Sequence, residues 1–312
     1  MEKPISFQVK DATLFGILHL PEAEPTERPE LGLVFVHSGS RGRLGNTFHY
    51  PFFARHLAKL GYPVLRFDPA GIGDSTGEPD RCPMNDFYGK IQVGKFVDET
   101  LVAIEEFHRL VNPKRIVLFG ICGGAITALL TGPRSQLVDA LVLLSIPVLL
   151  DSSQQSQIDR IPKEFARKYL ISLYARKLLS LKAWKRLLLF QSETGAIWTY
   201  LKAAIKGPGA KAKSSVDSEN QNMRFNKYFL EALDSTMERS NPALFLFGEE
   251  DEFRWEFERE FYNVYWEKNP AYKRLCDIHF FPFCNHMFTL REWQQQALKV
   301  TELWLEKLAK TD

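Results

Sequence analysis

Short, almost uninterrupted apolar runs, each followed by a stretch of helical period, narrow the fold of this chain more than any other feature. Leu31 to Val36, Pro63 to Phe67, Arg115 to Phe119 and Val138 to Ile146 carry few polar residues, the pattern of strands covered on both faces. Thr47 to Leu60, ending at Gly61, Phe96 to Leu110 and Gly124 to Leu130 lie between them and read as helices. Such alternation predicts repeated βαβ units and a mainly parallel sheet. Phe7 to Pro21 adds two antiparallel strands in front, and the Pro- and Glu-rich stretch Pro21 to Glu30 reads as a surface loop. Ala243 to Phe247 and Asp277 to Phe283 supply two further strands, with helices over Arg254 to Glu267 and Arg291 to Lys310. The expectation is an α/β chain with an eight-stranded, mainly parallel sheet flanked by helices.

Residues 149–238 interrupt the alternation. Their apolar positions, among them Phe165, Tyr169, Leu173, Leu181, Trp184 and Leu188, follow a helical period, with a break at Gly207-Pro208-Gly209. The simplest division is a core of residues 1–148 and 239–312 with an inserted helical cap over 149–238. With 312 residues and 45% hydrophobic content, the chain is long enough for one large core plus such an accessory region. No run reaches the roughly eighteen uncharged apolar residues of a spanning helix, and Met1 to Lys10 does not read as a signal peptide. A cytoplasmic protein is expected.

The four cysteines, at 82, 122, 276 and 284, form no C-x-x-C pair and have no partner at zinc-site spacing. We expect reduced thiols, three of them packing residues, and neither metal nor cofactor. Charge is uneven: Arg160 to Lys213 holds thirteen Lys or Arg against Glu164 and Glu193, although the whole chain carries only +2. A basic, partly amphipathic cap on an acidic body follows.

Ile116-Val117-Leu118-Phe119-Gly120-Ile121-Cys122-Gly123-Gly124-Ala125 places G-x-C-x-G where a buried strand gives way to a helix. This spacing is that of a nucleophile elbow with cysteine at its apex. The sharp turn needs small residues two positions either side of the nucleophile, here Gly120 and Gly124, and the helix behind it aims N–H groups and a positive dipole end at the sulfur. A buried packing cysteine is the plain alternative. An elbow also requires an acid and then a histidine downstream, each just past a strand. Gly248-Glu249-Glu250-Asp251 follows the strand at 243, so Asp251 is the orienting acid, with Glu250 as runner-up. Cys284-Asn285-His286 follows the next strand, so His286 is the base, ahead of His279, which lies inside that strand. The oxyanion hole would use the Gly123 N–H and one from His37-Ser38-Gly39-Ser40, either Gly39 or Ser40.

A glycine-rich stretch, Asp68 to Gly77, could be mistaken for a dinucleotide fingerprint. Its glycine spacing is wrong, and Pro79 and Pro83 follow where a helix should start. A tight structural turn beside the active site is the expectation.

With these residues in place, the chain resembles the α/β-hydrolase superfamily, and more narrowly the hydrolases associated with the exosortase A system. The resemblance runs over nearly the whole length. It rests on Arg43-Leu44-Gly45, Gly61 to Asp68 with Gly71-Ile72-Gly73-Asp74-Ser75, the elbow Gly120 to Ala125, Arg167-Lys168-Tyr169-Leu170 and His286-Met287-Phe288-Thr289. Gly123 stands where the narrower family often has an acid, and His37-Ser38-Gly39 is closer to the general superfamily form. The resemblance implies an α/β-hydrolase fold and ester or thioester chemistry; dienelactone hydrolases and some acyl-transferring relatives also carry cysteine in the elbow.

The expected function is hydrolysis of esters or thioesters through Cys122, His286 and Asp251 by a covalent acyl-enzyme, with acyl transfer from a carrier- or coenzyme A-bound donor as the alternative. Exchange between thioesters is nearly balanced in energy, which favours thioester substrates. Coenzyme A phosphates or an acidic acyl carrier protein would be drawn to the basic cap. Contact of that cap with a membrane surface is a competing reading. Nucleic acid is not expected, because the basic segment lacks a binding module. A catalytically silent hydrolase-fold binding protein is the reading from a different class.

Overall fold

The structure, a computed structural model, describes residues 1–22, 29–151 and 225–310. Most of the range expected as a cap, and the basic stretch 160–213 with it, lies outside the described residues. Eight strands form one sheet: β1 (Glu2–Val9), β2 (Ala12–His19), β3 (Leu31–Val36), β4 (Val64–Phe67), β5 (Arg115–Ile121), β6 (Val138–Leu144), β7 (Ala243–Glu250) and β8 (Cys276–Asn285). Their spatial order is β1-β2-β4-β3-β5-β6-β7-β8. β1 and β2 form an antiparallel hairpin and β2 runs antiparallel to β4, while every later pair is parallel.

The apolar runs of β3, β5, β6 and β7 divide their side chains between two cores by the two-residue period of a strand. On one face, Val34, Val36, Ile116, Leu118, Leu141, Leu143, Phe245 and Phe247 are buried. They meet helices α3 (Val97–Val111), α4 (Gly123–Thr131) and α5 (Lys227–Glu238) through Ile104, Phe107, Ile126, Leu129, Phe229 and Leu233. The other face buries Leu33, Phe35, Val117, Phe119, Val142 and Leu246 against α1 (His49–Lys59) and the last helix, α8 (Arg291–Ala309). Each large apolar side chain so covered contributes about 1.5–3 kcal/mol, and the rings of Phe35 and Phe119 stack at 4.4 Å between centroids.

Two elements differ from the sequence expectation. A helix, α2 (Met84–Gln92), starts directly after Pro83. Proline breaks a helix from within, but Pro83 occupies the position just before this one, where its missing N–H costs nothing. The helix expected over Arg254 to Glu267 is broken into α6 (Glu252–Glu256), a π-helical segment Phe257–Tyr262 and two short turns, followed by α7 (Pro270–Leu275). Among the described residues, no helix is long and apolar enough to cross a membrane.

β8 lies at one margin of the sheet. Its pairing with β7 slips between Gly248 and Glu250, so that Pro282, Phe283 and Cys284 bulge opposite Glu249. Phe283 takes φ 58° there and is 75% exposed.

Candidate active site

The carboxyl edge of the sheet gathers the chemistry. Cys122 stands between β5 and α4 with φ 54° and ψ −117°, a conformation L residues rarely adopt. Its N–H donates to the Leu144 carbonyl at 2.9 Å, and its own carbonyl accepts from Ala125 and Ile126 as the helix begins. Two glycines make this turn feasible. A Cβ on Gly120 would overlap the Gly124 backbone, and one on Gly124 would overlap the carbonyl oxygens of Val36 and His37. Tyr50, fully buried beneath the elbow, accepts from the Ile121 N–H at 3.1 Å and donates to the Val36 carbonyl at 2.5 Å.

Of the two neighbouring acids, Glu250 ends β7 exposed, whereas Asp251 is completely buried at the N-cap of α6. Asp251 Oδ1 accepts from the Phe253 N–H at 2.9 Å and from His286 Nδ1 at 3.0 Å. These bonds place the other ring nitrogen, Nε2, as the one left for chemistry. Cys122 lies close enough to His286 for its charge to act on the ring. Burial is the largest influence on its protonation and opposes the charged form. The charges of Asp251 and Cys122, with the hydrogen bond to Asp251, outweigh burial and hold the pKa well above the ordinary 6.5. His279 is exposed within β8, its ring against Phe281.

Several residues that set this geometry were not singled out from the sequence. Gly248 lets β7 approach β8 so closely that a Cβ would overlap the Cys284 carbonyl. Asn285 Oδ1 accepts from the Met287 and Thr289 N–H groups, at 3.1 and 3.4 Å, and so shapes the His286 turn. His49 Nε2 donates to the Met287 carbonyl at 2.7 Å, and Gln294 donates to that of Phe288 at 2.9 Å. The Phe253 ring stands edge-on to His286, 4.6 Å between centroids. No motif marks these positions, because each acts on a partner distant in sequence or through a local turn.

Gly39 has φ 87° and packs beside the elbow: a Cβ on Gly123 would lie 3.5 Å from the Gly39 nitrogen. His37 holds this loop from beneath. It is fully buried, burial pushes its pKa down to about 4, and the resulting neutral ring donates from Nδ1 to the Gly39 carbonyl at 3.1 Å. Ser40 is exposed, its hydroxyl 3.4 Å from that of Tyr88, and the Tyr88 ring lies against Gly39. The Gly39 backbone thus lies against Gly123, the residue directly after Cys122.

The glycine-rich stretch after β4 wraps a carboxylate. A Cβ on Gly42 or Gly73 would overlap the Asp68 side chain, which accepts from the backbone N–H groups of Arg43 and Asp74 and is ion-paired with the Arg43 guanidinium. Asp74 pairs with the same guanidinium. Of the other cysteines, Cys276 and Cys284 are buried, which pushes their thiols up to about 12, with Asp277 and Asp251 respectively adding to the rise.

Residues 33–256 match the family model described as alpha/beta hydrolase fold. Three solved structures are similar in fold. A hypothetical protein from Pseudomonas aeruginosa has 17% identity and a TM-score of 0.56, with 98% of this chain and 93% of that one covered. An esterase from Pyrococcus furiosus has 16% identity and a TM-score of 0.57, covering 98% and 91%. An alpha/beta hydrolase from a Penicillium species has 16% identity and a TM-score of 0.55, covering 99% and 98%. No curated protein sequence matches the chain.

Proposed function

The chain belongs to the α/β-hydrolase-fold family, and from that premise we propose that it hydrolyses or transfers acyl groups of esters or thioesters through a covalent intermediate on Cys122. One observation carries the reading: Cys122, held in the elbow, lies within electrostatic reach of His286, whose Nδ1 is tied to the buried Asp251.

In the first half-reaction His286 Nε2 takes the thiol proton and the sulfur attacks the acyl carbonyl. Negative charge gathers on the carbonyl oxygen, where the N–H groups of Gly123 and Gly39 meet it. Collapse expels the alcohol or thiol, which leaves with the proton from His286, and the acyl group stays on sulfur as a thioester. Water, or another nucleophile, then gives its proton to His286 and attacks that thioester, releasing Cys122. Asp251 keeps the Nδ1 proton in place and favours the imidazolium formed in both halves. Thioester donors suit this site because acyl exchange between two sulfurs is nearly neutral in energy. Coenzyme A or an acyl carrier protein is the proposed source of such donors, and kinship with the exosortase A-associated hydrolases belongs to the same proposal.

Incubation with a panel of activated acyl thioesters and esters, followed by intact-mass analysis, tests the reading. The expected result is an added acyl mass on the wild type that is absent from Cys122→Ala and persists longer in His286→Ala after forced acylation. Absence of acylation across the panel overturns it.

A further inference from the structure

A basic, aromatic groove of about 340 Å³ runs along the flank of the core, lined by Phe48, Pro51, Phe52, Arg55, His56, Lys59 and Arg291. Helix α1 supplies most of it, and Arg291 comes from the start of α8. Four of the seven lining residues are basic, and none is acidic. Arg55 and His56 have acidic neighbours, Glu2 at 2.6 Å and Glu302 at 3.3 Å. Lys59 makes no ion pair among the described residues. Arg291 is held by uncharged groups, the Gln294 Oε1 at 2.7 Å and the Phe52 ring at 4.1 Å. An arginine held by an amide and a ring keeps its charge uncompensated, unlike one held by a carboxylate.

At the upper end, Thr47 and Phe48 take φ 47° and 60°, and Phe48 is left 63% exposed. The next residue, His49, donates to the carbonyl of Met287, which follows His286 directly. The groove therefore begins beside the loop that carries the proposed base.

We propose that this groove binds the phosphorylated adenosine of coenzyme A, so that the thioester arm runs from it toward Cys122. Exposed aromatic surface suits a purine ring, and the cations of Lys59 and Arg291 suit its phosphates. A neutral ester would leave this charge unanswered, and a plain inorganic anion would leave Phe48 uncovered. The assignment of the arm to Cys122 rests on the acyl-transfer reading above; the nucleotide site itself does not.

Titration calorimetry of full-length Cys122→Ala with coenzyme A, adenosine 3′,5′-bisphosphate, adenosine and inorganic phosphate reads the site without catalysis. The first two are expected to bind, and the last two at least about tenfold more weakly. Lys59→Glu and Arg291→Glu should each weaken the bisphosphate about tenfold or more, the worth of a lost charged hydrogen bond. Equal binding by these variants, no binding of either nucleotide, or binding only of phosphatidylglycerol vesicles overturns the site. In turnover, the ratio of kcat/KM for an acyl-coenzyme A over the same acyl group on N-acetylcysteamine should fall about tenfold in Lys59→Glu. An unchanged ratio with normal acylation of Cys122 rejects the groove and spares the acyl chemistry. Nucleotide binding without any acylation rejects the acyl chemistry and spares the groove.

Discussion

A single methyl group on Gly124 has nowhere to go. It would overlap two carbonyl oxygens of the β3 end, and backbone cannot yield as a side-chain tip can. Gly124→Ala is expected to destabilise the protein by about 3 kcal/mol, seen as a lower urea midpoint, and to remove acylation of Cys122. Gly123→Ala is the control: its Cβ would meet only the Ile91 side chain and Gly39, at 3.4 and 3.5 Å, and its stability from urea unfolding should stay within about 1 kcal/mol of wild type. The need for glycine at 120 and 124 was readable from the sequence because the elbow is a local turn with a fixed spacing. The same need at Gly248 was not, since it arises only when β8, some thirty residues later, comes against β7. Choosing between Glu250 and Asp251 likewise required the fold: adjacent acids look alike until one is seen to be buried against His286 and the other exposed.

At the level of elements, the loop from β8 to α8 is a piece of local structure held at both ends. Asn285 holds it from within, and His49 and Gln294 hold it from two helices. Asn285→Ala leaves the Met287 and Thr289 N–H groups without their acceptor, so a loss of about 1–2 kcal/mol is expected. The rate of acylation should fall more than substrate affinity does, which pre-steady-state kinetics separates. The buried strands were legible because runs such as Leu31 to Val36 have no other economical explanation. Helix α2 was missed for a different reason: its start signal is a proline, which marks both the end of one element and the beginning of another.

For the molecule as a whole, buried histidines set the response to acid. Burial lowers the pKa of His37, His49 and His19 to about 4, and the charge of Arg66, which donates to His19 at 2.8 Å, adds to the effect there. In the unfolded chain these groups titrate near 6.5, so between about pH 6.5 and pH 4 the unfolded state binds more protons. Their stabilisation is present above pH 6.5 and is lost as pH falls, by up to about 4 kcal/mol per pH unit for the three together. Glu99 and Asp139, whose pKa values burial raises, oppose this in part. His286 has the reverse sign: its contribution is full below 6.5 and fades as pH rises through its raised pKa. Urea midpoints should therefore peak near neutrality, and His286→Gln should flatten the alkaline side of the curve while leaving the acid side steep.

The bulge in β8 also bears on how copies of this chain meet one another. A sheet margin normally offers a ladder of unused donors and acceptors, a template on which another chain can crystallise into a ninth strand. At Pro282 there is no N–H to offer, and at Phe283 the backbone swings into a left-handed turn that no flat neighbour could follow. Beside the exposed Phe283 ring, the bulged backbone at this margin works against the addition of a further strand.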